Sequence, residues 1–138
     1  MHYIYSLDDV SAADLDGFCV GWEHPLSGER LLHVLRSSYR VIVARDETTG
    51  PAVGFIQAIS DGVLSAYLPL LEVRPKFQGQ GIGSELVKRM LAELDGLYMV
   101  DLCCDEGLVP FMNETPWCQF AGWLVGTTMH STTGNVHS

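Results

Sequence analysis

No stretch of this 138-residue chain approaches the ~18 consecutive apolar residues of a membrane-spanning helix, although 47% of its residues are hydrophobic. The opening residues, Met1 to Ser6 and then Asp8 and Asp9, lack the basic and apolar segments of a secretory leader, so a cytoplasmic protein is expected. Basic residues are scarce. Against 17 Asp and Glu stand 8 Lys and Arg, a formal net charge of −9. That field repels nucleic-acid phosphates and anionic membranes, and neither is expected as a partner. It suits a cationic substrate, and equally an acidic protein that is merely soluble. C-x-x-C pairs are missing: Cys19, Cys103, Cys104 and Cys118 are spaced as structural thiols, and no metal site is expected. Repeats, low-complexity tracts and interdomain linkers are absent too. The reading is one domain over residues 1–130 with a polar tail over 131–138, long enough to bury roughly two-thirds of its unfolded surface.

What is present is a glycine-rich crossing from an apolar strand into a helix. Gly79, Gly81 and Gly83 alternate along Gln78-Gly79-Gln80-Gly81-Ile82-Gly83-Ser84 and remove every second Cβ, so the backbone can turn tightly and turn its N–H groups toward a ligand. Leu86, Val87, Met90, Leu91 and Leu94 then recur at helical spacing. A helix N-terminus carries unpaired N–H groups and a partial positive charge, which makes this an anion site suited to phosphate. Arg74, Lys76, Lys88 and Arg89 around it supply local positive charge against the global field.

Two other phosphate loops fit less well. A dinucleotide loop reads G-x-G-x-x-G directly after its strand, whereas these glycines read G-x-G-x-G and begin beyond Arg74-Pro75, although Asp101 sits where a ribose-binding carboxylate would be expected. A P-loop needs G-x-x-x-x-G-K-[ST], and Lys88 lies too far into the helix.

The stretch resembles the acyl-CoA pyrophosphate loop of the GNAT superfamily of N-acetyltransferases, Q/R-x-x-G-x-G/A after a strand ending in Val. Val73 and Pro75 stand where many members have V-x-P, and the resemblance extends to about Phe111 before it fades. It implies a single-domain α/β (α+β) fold, with a mixed, mostly antiparallel twisted sheet and helices on both faces. It also implies acetyl-CoA as cofactor and acetyl transfer to a primary amine of a small molecule or peptide, with a homodimer as an open option. A CoA-binding regulatory domain without turnover, and a nucleotide-dependent oxidoreductase using the same loop, remain as alternatives.

Taken in order, His2 to Tyr5 reads as a strand. Ser11 with Asp14 forms a capping pattern that predicts a first helix to about Val20, ended by Gly21. Ser27 predicts the cap of a second helix with Leu31, Leu32 and Leu35 as its apolar stripe. Tyr39–Arg45 and Ala52–Ser60 read as strands, and Asp61-Gly62 is a hairpin signal joining the latter to Val63–Val73. Gly96 reads as a helix C-cap before a strand from Leu97 to Cys104, parallel to the one preceding the loop. One or two closing strands are expected around Gln119–Met129.

Pro69 removes a ladder donor, so a β-bulge is expected there. By resemblance the backbone of Leu71 polarises the thioester carbonyl, that of Val73 bonds the pantetheine, and Gln78 to Ser84 hold the diphosphate. Glu72, a carboxylate in an apolar strand, is either the base for the amine or a paired structural residue. Tyr67 takes a position where some members carry a carboxylate. Phe18, Trp22, Glu23 and His24 are candidates for the acceptor wall, each with a competing reading as core or loop. Where members often carry a Tyr that protonates the CoA sulfur, this chain has Met112, which donates no proton, and Asn113 is a polar contact to CoA at most.

Overall fold

The computed structural model describes residues 1–46, 50–104, 118–120, 123–129 and 136–137. Among these, β1 (His2–Ile4), α1 (Gly28–Arg36), β2 (Arg40–Arg45), β3 (Ala52–Ser60), β4 (Ser65–Val73), α2 (Ile82–Glu93), β5 (Met99–Cys104), β6 (Cys118–Phe120), β7 (Trp123–Met129) and β8 (Val136–His137) follow in chain order. The strands join in one sheet, ordered β1-β2-β3-β4-β5-β7-β6, with β8 on β7. Among the described residues only β4 and β5 are parallel, with α2 as their crossover. Strand β8 falls within the stretch expected as a tail.

Period-two alternation splits the core into two layers. Ile42, Ala44, Ile56, Ala58, Ala66 and Leu68 pack under Leu86, Val87 and Met90 of α2. Val43 and Phe55 face the opposite way, onto Leu31, Leu32 and Leu35 of α1 and onto Leu15 and Phe18. Helices therefore cover both faces, as the resemblance implied. Ser27 caps α1 by accepting the Arg30 N–H at 3.2 Å. Gly28 is needed for close approach, because a Cβ there would run into the Ala12 carbonyl.

The first helix expected between Ser11 and Val20 is not formed. Its capping pair exists, with the Ser11 N–H on Asp14 at 2.8 Å, but only a 3-10 turn at Ala13–Leu15 follows. Gly17, Cys19 and Gly21 all take left-handed φ, at 85°, 66° and 85°, and a right-handed helix cannot pass through them.

The bulge stands where Pro69 placed it. From Gln57↔Leu70 to Ile59↔Tyr67, β3 advances two residues while β4 advances three, so the extra residue lies at Leu68–Pro69. Pairing with β5 runs from Ser65 to Leu68 and stops there. Beyond the bulge the two parallel strands part.

Candidate active site

The parting of β4 and β5 exposes one edge of β4. The Arg74 N–H donates to the Val53 carbonyl at 2.8 Å, which fixes the alternation of the β3–β4 ladder. Leu70 and Glu72 then turn their backbone groups toward β3, opposite Gln57 and Phe55. Those of Leu71 and Val73 point the other way, to the side that β5 has left. These two are the residues whose backbone the resemblance assigned to the thioester carbonyl and the pantetheine. The Val73 carbonyl accepts the Gln78 side-chain amide at 2.9 Å, leaving its N–H as the group directed into the gap.

The glycine loop lies at the foot of this edge. Gly79 and Gly81 have φ of 80° and 82°, and a Cβ at either would meet nothing within 4 Å among the described residues, so these leave the loop's outer face open. Gly81 is the N-cap of α2 and no side chain caps it. The first bond inside the helix runs from the Glu85 N–H to the Gly81 carbonyl at 3.0 Å. The N–H groups of Ile82, Gly83 and Ser84 precede it and have no acceptor within the helix. Gln80 is exposed at the loop's apex. An anionic group seated here would be held by main-chain amides.

The cations expected to assist are divided. Lys76 and Lys88 are exposed. Arg89 is engaged away from the loop, with Nε 2.8 Å from Glu85 and Nη1 3.2 Å from the Tyr5 hydroxyl. Arg74 is a structural clamp: Nε donates to the Ala52 carbonyl at 2.6 Å and Nη2 to the Asp14 carbonyl at 3.0 Å. Burial pulls its basicity down, while the Glu72 and Asp16 carboxylates push it back up.

Glu72 projects on the α1 face of β4. Both its oxygens accept the Cys19 N–H at 2.8 Å, and Oε1 also accepts the Val20 N–H at 3.1 Å. Tyr67 lies on the same face and is 43% exposed, opposite Ile59. Four residues apart, Tyr67 and Leu71 would share a face in a regular strand; the bulge puts their side chains on opposite faces, since Leu71 packs against the α2 core. Of the expected acceptor wall, Phe18 is core, 3% exposed and edge-on to Phe55 at 5.0 Å. Trp22, Glu23 and His24 are exposed. Asn113 and Met112 lie outside the described residues.

Two relationships escaped the sequence reading: the nest formed by the Cys19 and Val20 amides, and the inward turn of Arg74. Their signal was the opposite charges of Glu72 and Arg74 two residues apart, hence on one strand face and facing buried surface. A separate cleft of about 560 Å³, lined by Asp46, Pro51, Arg74 and Phe77 among others, shares no residue with Gln78 to Ser84 or with the gap and is not this site.

A curated relative from Pyropia yezoensis, described as an uncharacterized N-acetyltransferase, is 25% identical over 95 residues, which is 67% of this chain and 55% of that protein. The chain thus spans about half the length of the curated relative it matches. It is similar to a proposed acetyltransferase from Deinococcus radiodurans R1, at 40% identity over 87% of this chain and 83% of that one, with a TM-score of 0.82. An aminoglycoside 6'-N-acetyltransferase solved with coenzyme A shares the fold at 16% identity and a TM-score of 0.75, covering 95% of this chain and 98% of that one. The family model described as the Acetyltransferase (GNAT) family matches residues 7–111, ending where the resemblance read from the sequence fades. The chain belongs to the GNAT acetyltransferase family.

Proposed function

We propose that this protein transfers an acetyl group from acetyl-CoA to a primary amine of a small molecule or peptide. The observation that carries this reading is the shared line of the Leu71 and Val73 backbone groups, turned into the β4–β5 gap, and the open amides of Ile82 to Ser84 at its foot. The family assignment supports it, as does the likeness to a fold solved with coenzyme A. Acetyl-CoA supplies a thioester activated toward amines. In the transfer a C–N bond forms, the C–S bond breaks, the amine gives a proton to water and the thiolate takes one. The residues present fit that substrate: Ile82, Gly83 and Ser84 hold the diphosphate, the Val73 N–H meets the pantetheine arm, and the Leu71 N–H meets the carbonyl oxygen. A hydrogen bond aimed at the charge developing on that oxygen contributes ~3 kcal/mol to lowering the barrier. The exposed Trp22 and Glu23, together with Tyr67 on the α1 face, line the amine's approach. We place the reaction in the cytoplasm, in keeping with the composition and the unpaired spacing of the cysteines.

Calorimetric titration with acetyl-CoA, followed by a thiol-release assay across polyamines, aminoglycosides, amino acids and peptides, tests the reading. Binding with thiol release that depends on an amine is the expected result. Binding without release by any amine would leave a CoA-binding regulatory domain, which the sequence at Met112 favours. Absence of acetyl-CoA binding would remove both.

A further inference from the structure

The geometry points to Glu72 as a positioning residue that holds the acceptor wall in place through the Cys19 and Val20 amides. The inference rests on the acetyl-transfer reading for its functional half and on geometry alone for its structural half. Successive N–H groups beside a left-handed residue form a concave nest for an anion, and here the anion is the chain's own carboxylate. Cys19, with φ 66°, bears a Cβ that a left-handed conformation disfavours. Two charge-assisted donors offset that strain, the Cys19 N–H shared between both oxygens at 2.8 Å and the Val20 N–H at 3.1 Å. Two residues further along the same strand face, Arg74 holds the other side of the segment, with its guanidinium on the Asp14 carbonyl and 4.1 Å above the Phe18 ring. The acid takes donors from the segment and the base takes an acceptor, so the 14–20 stretch is held at both ends, by the end of β4 and by the residue that follows it. Beyond it, after Gly21, come the exposed Trp22 and Glu23. Glu72 also follows Leu71, whose N–H faces the gap. A carboxylate whose two oxygens are both engaged with main-chain donors is suited to hold a loop, and it is poorly placed to take a proton from an amine.

Wild type, Glu72→Gln and Glu72→Ala are compared by hydrogen exchange at the Cys19 and Val20 amides, by calorimetry with acetyl-CoA, and by kcat and amine KM for the best acceptor of the amine panel. As a positioning residue, Glu72→Ala speeds exchange at both amides by at least about tenfold relative to other core amides. It also raises the amine KM with little change in acetyl-CoA affinity. Glu72→Gln, which keeps one acceptor oxygen, recovers much of both effects and retains the wild-type pH profile. The proposal is overturned if the two amides exchange at wild-type rates in Glu72→Ala. It is also overturned if both variants lose kcat by a common ~10²-fold or more with one limb of the pH profile missing, as removal of a general base would produce. If wild type acetylates no amine, the transfer reading fails separately, and the exchange result still decides whether Glu72 holds the loop.

Discussion

The Arg74 guanidinium carbon lies 4.1 Å from the centroid of the Phe18 ring, and the same side chain donates to the carbonyls of Ala52 and Asp14. An arginine that the sequence places near a phosphate loop is thereby committed to joining the N-terminal segment to the sheet. Arg74→Ala leaves two carbonyls without this donor and one aromatic face without its cover, a loss of about 2–3 kcal/mol. Urea denaturation measures it. Arg74→Lys recovers only part, because an ammonium group cannot match the planar fork. Acetyl-CoA affinity of the folded variants is expected to stay near that of wild type, and a steep fall would return Arg74 to the phosphate site.

Gly81 combines a left-handed φ of 82° with open space where a Cβ would project. Gly81→Glu therefore costs about 1 kcal/mol in backbone strain and keeps the fold, yet sets a carboxylate against the open amides of α2. Acetyl-CoA binding by calorimetry should vanish while the circular dichroism spectrum persists. Gly81→Ala, carrying the strain without the charge, separates the two effects and should weaken binding far less. Unchanged affinity in Gly81→Glu would move the diphosphate to another place.

What could be read from the sequence were features whose cause is local. The antiparallel pairing across Asp61-Gly62, the Ser27 cap, the helix after the glycine loop and the bulge at Pro69 each depend on the stereochemistry of one or two residues and are found in place. The second strand of that pairing starts at Ser65 and not at Val63, so the turn is longer than two residues. The segment after Ser11 was misread because its cause is distant. Its capping pair is local and real, but the left-handed turn at Cys19 is held by Glu72, 53 residues away. The same holds for Phe18: its spacing allows a cleft or a core, and only Phe55 and Arg74 decide between them. The region from Asp105 to Trp117, where the sequence departs most from the family's pattern, lies outside the described residues.

Asp61 accepts the Val63 and Leu64 N–H groups at 2.8 Å, and these bonds hold its carboxyl below the usual carboxylate range. A group with a depressed folded pKa contributes stability above its unfolded value, near pH 4, and loses it as pH falls through the folded value. Wild type should thus exceed Asp61→Ala in urea midpoint at neutral pH, with the difference shrinking as the pH drops below about 4. A difference that stays constant between pH 7 and pH 3 would mean that the charge has no part in the turn.

Cys19 is 2% exposed, and burial, opposed by a backbone hydrogen bond from Leu26 and reinforced by the Glu72 carboxylate, pushes its thiol pKa upward. The thiolate is the reacting form, so at neutral pH Cys19 should be alkylated at least about tenfold more slowly than a free cysteine. Peptide mapping by mass spectrometry keeps it distinct from the three other cysteines. The linkage runs opposite to that of Asp61. A raised folded pKa favours the protonated form, so the contribution of Cys19 is complete below its unfolded value and declines as pH climbs through the folded one. Stability of wild type relative to Cys19→Ser should fall above about pH 9. Alkylation of Cys19 in the folded protein at the rate found in urea would instead mean that the loop opens freely, and that the contacts from Glu72 do not hold it.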